Sequence, residues 1–162
     1  MGLDMYLERC NRKAWGYKDV DIEDAKENNP ALYNEIKPFL TMRGKYISWE
    51  SIFEEVGYWR KANAIHKWFV DCIQDGEDDC GCYEVTKEQL TELLDVCIQV
   101  RDSSQMEKTA QELLPTQSGF FFGSTVYDEW YVDDLIDTIS ILTKVLKETD
   151  FDNQMVVYSS SW

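Results

Sequence analysis

The chain has 162 residues, 44% of them hydrophobic, with six Trp, nine Tyr and seven Phe, which suits one domain with its own core and argues against disorder. Thirty-one Asp and Glu against sixteen Lys and Arg give a net charge of −15, a field that repels nucleic acid and anionic membranes and argues against direct binding of either. No apolar run approaches the roughly eighteen residues of a membrane span, and "MGLDMYLERC" lacks the basic-then-apolar order of a signal peptide, so a cytoplasmic protein with reduced thiols is expected.

Leu3, Met5 and Leu7 alternate with Gly2, Asp4 and Tyr6, a period of two that predicts a strand over residues 1–7. A polar stretch to about Asn29 carries no assignable pattern. Pro30 opens a short helix through Ile36, and Pro38 stops it. "KYISW", residues 45–49, reads as a short strand or as the lead into a helix. Gly57 separates a short helix over 49–56 from a longer one over 58–74, where Tyr58, Ala62, Ile65, Phe69 and Cys72 share a face. "QDGEDDCGC" breaks that helix. Thr86 and Gln89 have capping-box spacing and announce a helix over 86–101, with Leu90, Leu93, Leu94, Cys97 and Val100 inward. Cys97 thus reads as a small core hydrophobe. A further helix covers 104–114 and ends before Pro115. "SGFFFGS" is bounded like a buried strand or hairpin arm. The last helix covers 127–149, with Tyr131, Leu135, Ile139, Leu142, Val145 and Leu146 toward the core. "MVVYSSSW" has strand character and is expected to pair with the N-terminal strand. The sum is α+β: several helices packed on a small, mainly antiparallel sheet, as a single domain over 1–162.

The densest chemistry lies in "AIHKWFVDCIQDGEDDCGC", residues 64–82, which holds the sole histidine and three of the five cysteines. On one helix His66 and Cys72 differ by roughly 120° around the axis and about 9 Å along it, so they cannot readily share an ion. A zinc site would use Cys80 and Cys82 with His66 or Cys10, completed by Asp78 or Asp79. The second C-x-x-C or H-x-x-x-H pair that marks a strong zinc signature is missing, and an acidic turn with incidental thiols is the preferred reading. "DGEDD" lacks the ligand order of an EF-hand loop. Any Cys-His or Ser-His nucleophile must use His66, which reads instead as an imidazole at the core edge. No G-x-S-x-G, Walker A or G-x-G-x-x-G motif occurs, so no catalytic residue is assigned.

The acids fall into three clusters: Asp19, Asp21, Glu23 and Asp24; Asp71, Asp75, Glu77, Asp78 and Asp79; and Asp128, Glu129, Asp133, Asp134 and Asp137. Solvated faces explain each singly, but not why so few lysines are interspersed. Such a chain could instead occupy a basic groove that normally holds nucleic acid. Asp133, Asp134 and Asp137, with Trp49, Trp59, Trp130 and Trp162 as aromatic anchors, are the expected partner-binding residues.

The stretches "MGLDMYL", "EEVGYWRKANAIHKWFV", "QDGEDDC", "ELLPTQSGFFFGSTVYDEWY", "ETDF" and the ending "YSSSW" resemble a family of small, mostly uncharacterised proteins carried by bacteriophages and prophages. The likeness covers nearly the whole chain, least so from about 11 to 45. It implies a phage or mobile-element source, and by analogy an anti-defence protein such as an inhibitor of a CRISPR nuclease, whose channel for guide RNA and DNA is basic. The expectation is a non-enzymatic inhibitor in the host cytoplasm that binds no nucleic acid and no membrane directly. A small phage metalloprotein or structural accessory is the alternative, and a small hydrolase comes last.

Overall fold

The computed structural model describes residues 2–44 and 47–162. Strand β1 (Asp4–Asn11) runs antiparallel to the C-terminal strand β6 (Gln154–Ser161) over its full length, from Asp4 opposite Ser161 to Asn11 opposite Gln154. The expected pairing of the two chain ends is therefore present. Strands β4 (Glu54–Arg60) and β5 (Cys82–Val85) complete a four-stranded sheet in the order β4-β1-β6-β5, antiparallel throughout. Met155, Val156, Val157 and Tyr158 of β6 are all buried, so this strand is covered on both faces. That double burial explains a continuous apolar run where a half-exposed strand would alternate.

One face of the sheet presents Met5, Leu7, Trp59, Val85, Val156 and Tyr158 to the main core. Helices α3 (Asn63–Ile73), α4 (Lys87–Asp102), α5 (Met106–Leu113) and α6 (Glu129–Glu148) supply the rest of that core. The expected inward stripe of α4 is buried through Leu90, Leu93, Cys97 and Val100. Its capping box forms as read from the sequence: Gln89 N–H donates to Thr86 Oγ1 at 3.2 Å, and Thr86 N–H donates to Gln89 Oε1 at 2.9 Å. The other face carries Cys10, Met155 and Val157 under Trp15 and Phe53. Beyond it lie a 3-10 turn (Arg12–Tyr17) and the short helices α1 (Ile22–Asn28) and α2 (Pro30–Ile36), which pack with Ile52. The fold is α+β, and no helix among the described residues is long and apolar enough to cross a membrane.

Four expectations are corrected. Residues 49–60 are strands rather than helix: β3 (Trp49–Ser51) pairs with β2 (Thr41–Arg43), and Glu54–Arg60 is the edge strand β4. Lys45 and Tyr46 of the 45–49 reading lie outside the described residues, as does Met1. Gly57 is no helix separator. It sits inside β4 opposite Leu7, where a Cβ would stand 2.6 Å from Ile141 Cγ2, so its missing side chain lets α6 approach the sheet. The long helix begins at Asn63 instead of Tyr58, because Trp59 is fixed in the sheet opposite Met5 and Lys61 turns the chain with φ +63°. Finally, "SGFFFGS" is an irregular turn. Phe122 is buried while Phe120 is 92% exposed, and the backbone is held by a side chain, with Asn63 Nδ2 donating to Phe122 O and Ser124 O at 3.0 and 2.7 Å.

Candidate functional site

His66 lies fully inside the core, at 0% exposure, and not at its edge. Its helix directs Nδ1 to Tyr158 Oη at 2.7 Å and Nε2 to Asp78 Oδ2 at 2.9 Å. With the proton on Nε2, that nitrogen donates to the carboxylate and the Tyr158 hydroxyl donates to Nδ1, so every polar atom is satisfied. Phe122 meets the imidazole edge-on at 5.2 Å, and Tyr158 stacks on Phe69 with ring centres 3.9 Å apart. Asp78 Oδ1 also accepts from Trp162 Nε1 at 3.1 Å, tying the C-terminus to the turn after α3. The network is closed to solvent at the imidazole and serves the fold.

The sheet separates two of the proposed zinc ligands, Cys10 and Cys82, from this histidine. Cys82 pairs with Ser159 and shares the face of Cys10 and Val157, whereas Tyr158, the partner of His66, points to the opposite face. Cys10 and Cys82 therefore cannot join His66 around one ion. Burial and then Cys82 push the Cys10 thiol up to about 11, and burial followed by Glu8 raises Cys82, so both are protonated thiols at neutral pH. Asp79 turns back on its own loop, accepting from Gly81 N–H at 2.7 Å and from Tyr83 Oη at 2.8 Å. Cys80 is exposed with φ +56°. Among the described residues no three His, Cys, Asp or Glu side chains are grouped to hold a metal ion.

The three acidic clusters part company in the fold. In the first, Asp21 caps α1 by accepting from Asp24 N–H at 3.0 Å, and Asp19 pairs with Lys18. In the second, Asp71 pairs with Lys67 and Asp78 with His66. In the third, Asp128 caps α6 through Trp130 N–H and Tyr131 N–H. Asp133, Asp134 and Asp137 make no ion pair or side-chain hydrogen bond among the described residues. All three line one cleft of about 510 Å³ together with Asp128 and Trp130. Val126, Tyr131 and Ala64 give it apolar wall, and Arg60 and Lys61 also line it. The sequence had named these acids and Trp130. It gave no sign of the opposing wall, which depends on the turn between β4 and α3.

Asp134 is the deepest carboxyl of the group. Burial first, and then the charges of Asp137, Asp133 and Asp128, push it up to about 7. At low pH the carboxyl is neutral in both states and costs nothing. Between about 4 and 7 the unfolded chain ionises it while the folded chain resists, so stability falls as pH rises, and above about 7 the loss is complete. The displacement corresponds to about 4 kcal/mol, and solvent at the cleft mouth reduces this to about 2 kcal/mol. Asp134→Asn is accordingly expected to stabilise the protein by about 2 kcal/mol at pH 8 and by almost nothing near pH 3.5, measured as paired urea denaturation curves. An equal effect at both pH values would show that ionisation is not the cause.

The four expected tryptophan anchors separate as well. Trp130 is 69% exposed at the cleft, whereas Trp59 is 3% exposed and belongs to the core. Trp49 lines a different and smaller depression of about 270 Å³ with Tyr17 and Ile22. Trp162 is half exposed and packs edge-on against Phe122. They do not form one surface. Comparison with family models, curated proteins and solved structures returned no match for the chain.

Proposed function

We propose that this is a non-enzymatic binding protein that sets the α6 carboxylates against a basic surface of another protein, and that this partner is a host nucleic-acid-handling defence protein, with a CRISPR effector nuclease as the first target to test. One observation carries the reading: Asp133, Asp134 and Asp137 make no ion pair among the described residues, although Arg60 and Lys61 line the same cleft, and they converge there with exposed Trp130. Asp134 is half-buried beside Asp133 and Asp137 with no partner for its carboxyl among the described residues, an arrangement that suits recognition better than stability. The net charge of −15 adds long-range attraction for a basic channel. The phage-protein resemblance of the sequence gives such a target a biological setting. A catalytic role has less support, since the sole histidine is enclosed and committed to Tyr158 and Asp78.

The test is a DNA-cleavage assay with the host's CRISPR effector at increasing concentrations of the protein. Dose-dependent inhibition is expected. Its association rate should fall by about tenfold or more between low and physiological salt, because steering is screened beyond about 8 Å there. Reversing Asp133, Asp134 and Asp137 to Lys should abolish inhibition while the far-ultraviolet circular dichroism spectrum is retained. Inhibition indifferent to salt and to these reversals would overturn the acidic-surface mechanism, and absence of inhibition would overturn the choice of target.

A further inference from the structure

We infer that the cleft beside α6 is built to receive an arginine side chain of the partner, laid along a row formed by Trp130, Asp134 and Asp137; this rests on the binding reading above. The row follows from helix geometry. Positions 130, 134 and 137 are spaced four and three, so they share one face of α6 over about 10 Å. An indole thus stands at one end and two carboxylates at the other, beside a cleft of about 510 Å³ with apolar wall from Val126, Tyr131 and Ala64. The length suits an extended side chain whose methylenes lie on that wall and whose head reaches the acids.

The chemistry selects among occupants. An anion is repelled, because the carboxylates of Asp128, Asp133, Asp134 and Asp137 outnumber Arg60 and Lys61 across the cleft. An apolar ligand would leave the half-buried Asp134 less solvated still. A metal ion needs three ligands gathered on one point, and the described residues hold no such group. A lysine ammonium is compact and strongly hydrated, so it gains little from the indole. A guanidinium is planar and weakly hydrated. It stacks on the exposed face of Trp130, and its fork can donate to Asp134 and Asp137 together.

The experiment titrates nona-arginine and nona-lysine peptides into the full-length protein at low salt, by calorimetry and by following the indole N–H resonances in NMR. Trp130→Phe identifies the Trp130 signal and, being an exposed aromatic exchange, is expected to fold normally. Nona-arginine should bind about tenfold tighter than nona-lysine and shift the Trp130 indole signal. Asp134→Asn with Asp137→Asn should weaken nona-arginine binding about tenfold or more. Glu23→Gln with Glu27→Gln removes the same charge from exposed positions of α1, on the far side of the sheet, and should change it by no more than about twofold. Equal loss in both pairs, equal affinity for the two peptides, or an unmoved Trp130 signal would each overturn the arginine cleft. None of these outcomes would touch the binding reading, which is judged separately by inhibition of the nuclease.

Discussion

Replacing His66 by alanine is expected to lower the free energy of unfolding by about 3–5 kcal/mol, measured by urea denaturation with an unchanged denaturant slope. Two costs add. The removed ring leaves a void at a site with 0% exposure, bounded by Phe122 and Tyr158. The Tyr158 hydroxyl, 2.7 Å from Nδ1, and the Asp78 carboxylate, 2.9 Å from Nε2, also lose their shared partner. Tyr158→Phe takes away one of those bonds without opening a void, and should cost about 1–3 kcal/mol. Because the two residues share a network, the double variant should fall short of the summed losses by about 1 kcal/mol or more. A loss below about 1 kcal/mol for His66→Ala would mean that the turn carrying Asp78 does not depend on the imidazole.

Trp59→Ala should cost a similar about 3–5 kcal/mol, whereas Trp130→Ala should stay within about 0.5 kcal/mol of the parent. Trp59 is buried between the sheet and α6, and its Nε1–H donates to Thr138 Oγ1 at 2.9 Å. The Thr138 hydroxyl in turn donates to Asp134 O at 2.6 Å, so the indole anchors the turn of α6 that carries the cleft acids. Losing Trp59 therefore removes packing and leaves Thr138 one partner short. Trp130 makes its contribution on the surface, where truncation costs the fold little and should cost partner binding about 2 kcal/mol or more. Thermal melts and the inhibition assay run on both variants check the contrast. If Trp130→Ala binds like the parent while Trp59→Ala is as stable as the parent, the assignment of the two indoles is reversed. Should Trp59→Ala fail to accumulate, Trp59→Phe keeps most of the packing, loses the hydrogen bond, and is expected to cost about 1–3 kcal/mol.

Local patterns in the chain determined a good part of this protein. The period-two run Leu3, Met5, Leu7 and the apolar run Met155–Tyr158 specify strands β1 and β6, because alternation and burial on both faces are written in adjacent residues. The Thr86–Gln89 capping box and the stripes of α4 and α6 fix those helices for the same reason. The unpaired acids of α6 were also readable, since a helix presents residues three and four apart on one face. Tertiary structure decided the rest. Tyr58, Ala62, Ile65, Phe69 and Cys72 fit a helical period, yet pairing with β1 draws Glu54–Arg60 into the sheet, and Gly57 is needed there for Ile141 of α6. Whether His66 meets Cys82 or Asp78 depends on which side of the sheet each one faces, and β5 turns Cys82 away. Trp59 and Trp130 are the same residue type, one sealed beneath α6 and the other exposed on its first turn. Periodicity lies within a single segment, whereas burial and the far wall of a cleft are made by segments distant in sequence. The sequence could thus nominate Asp133, Asp134 and Asp137, and only the packing of α6 against the β4–α3 turn brought them into one cleft.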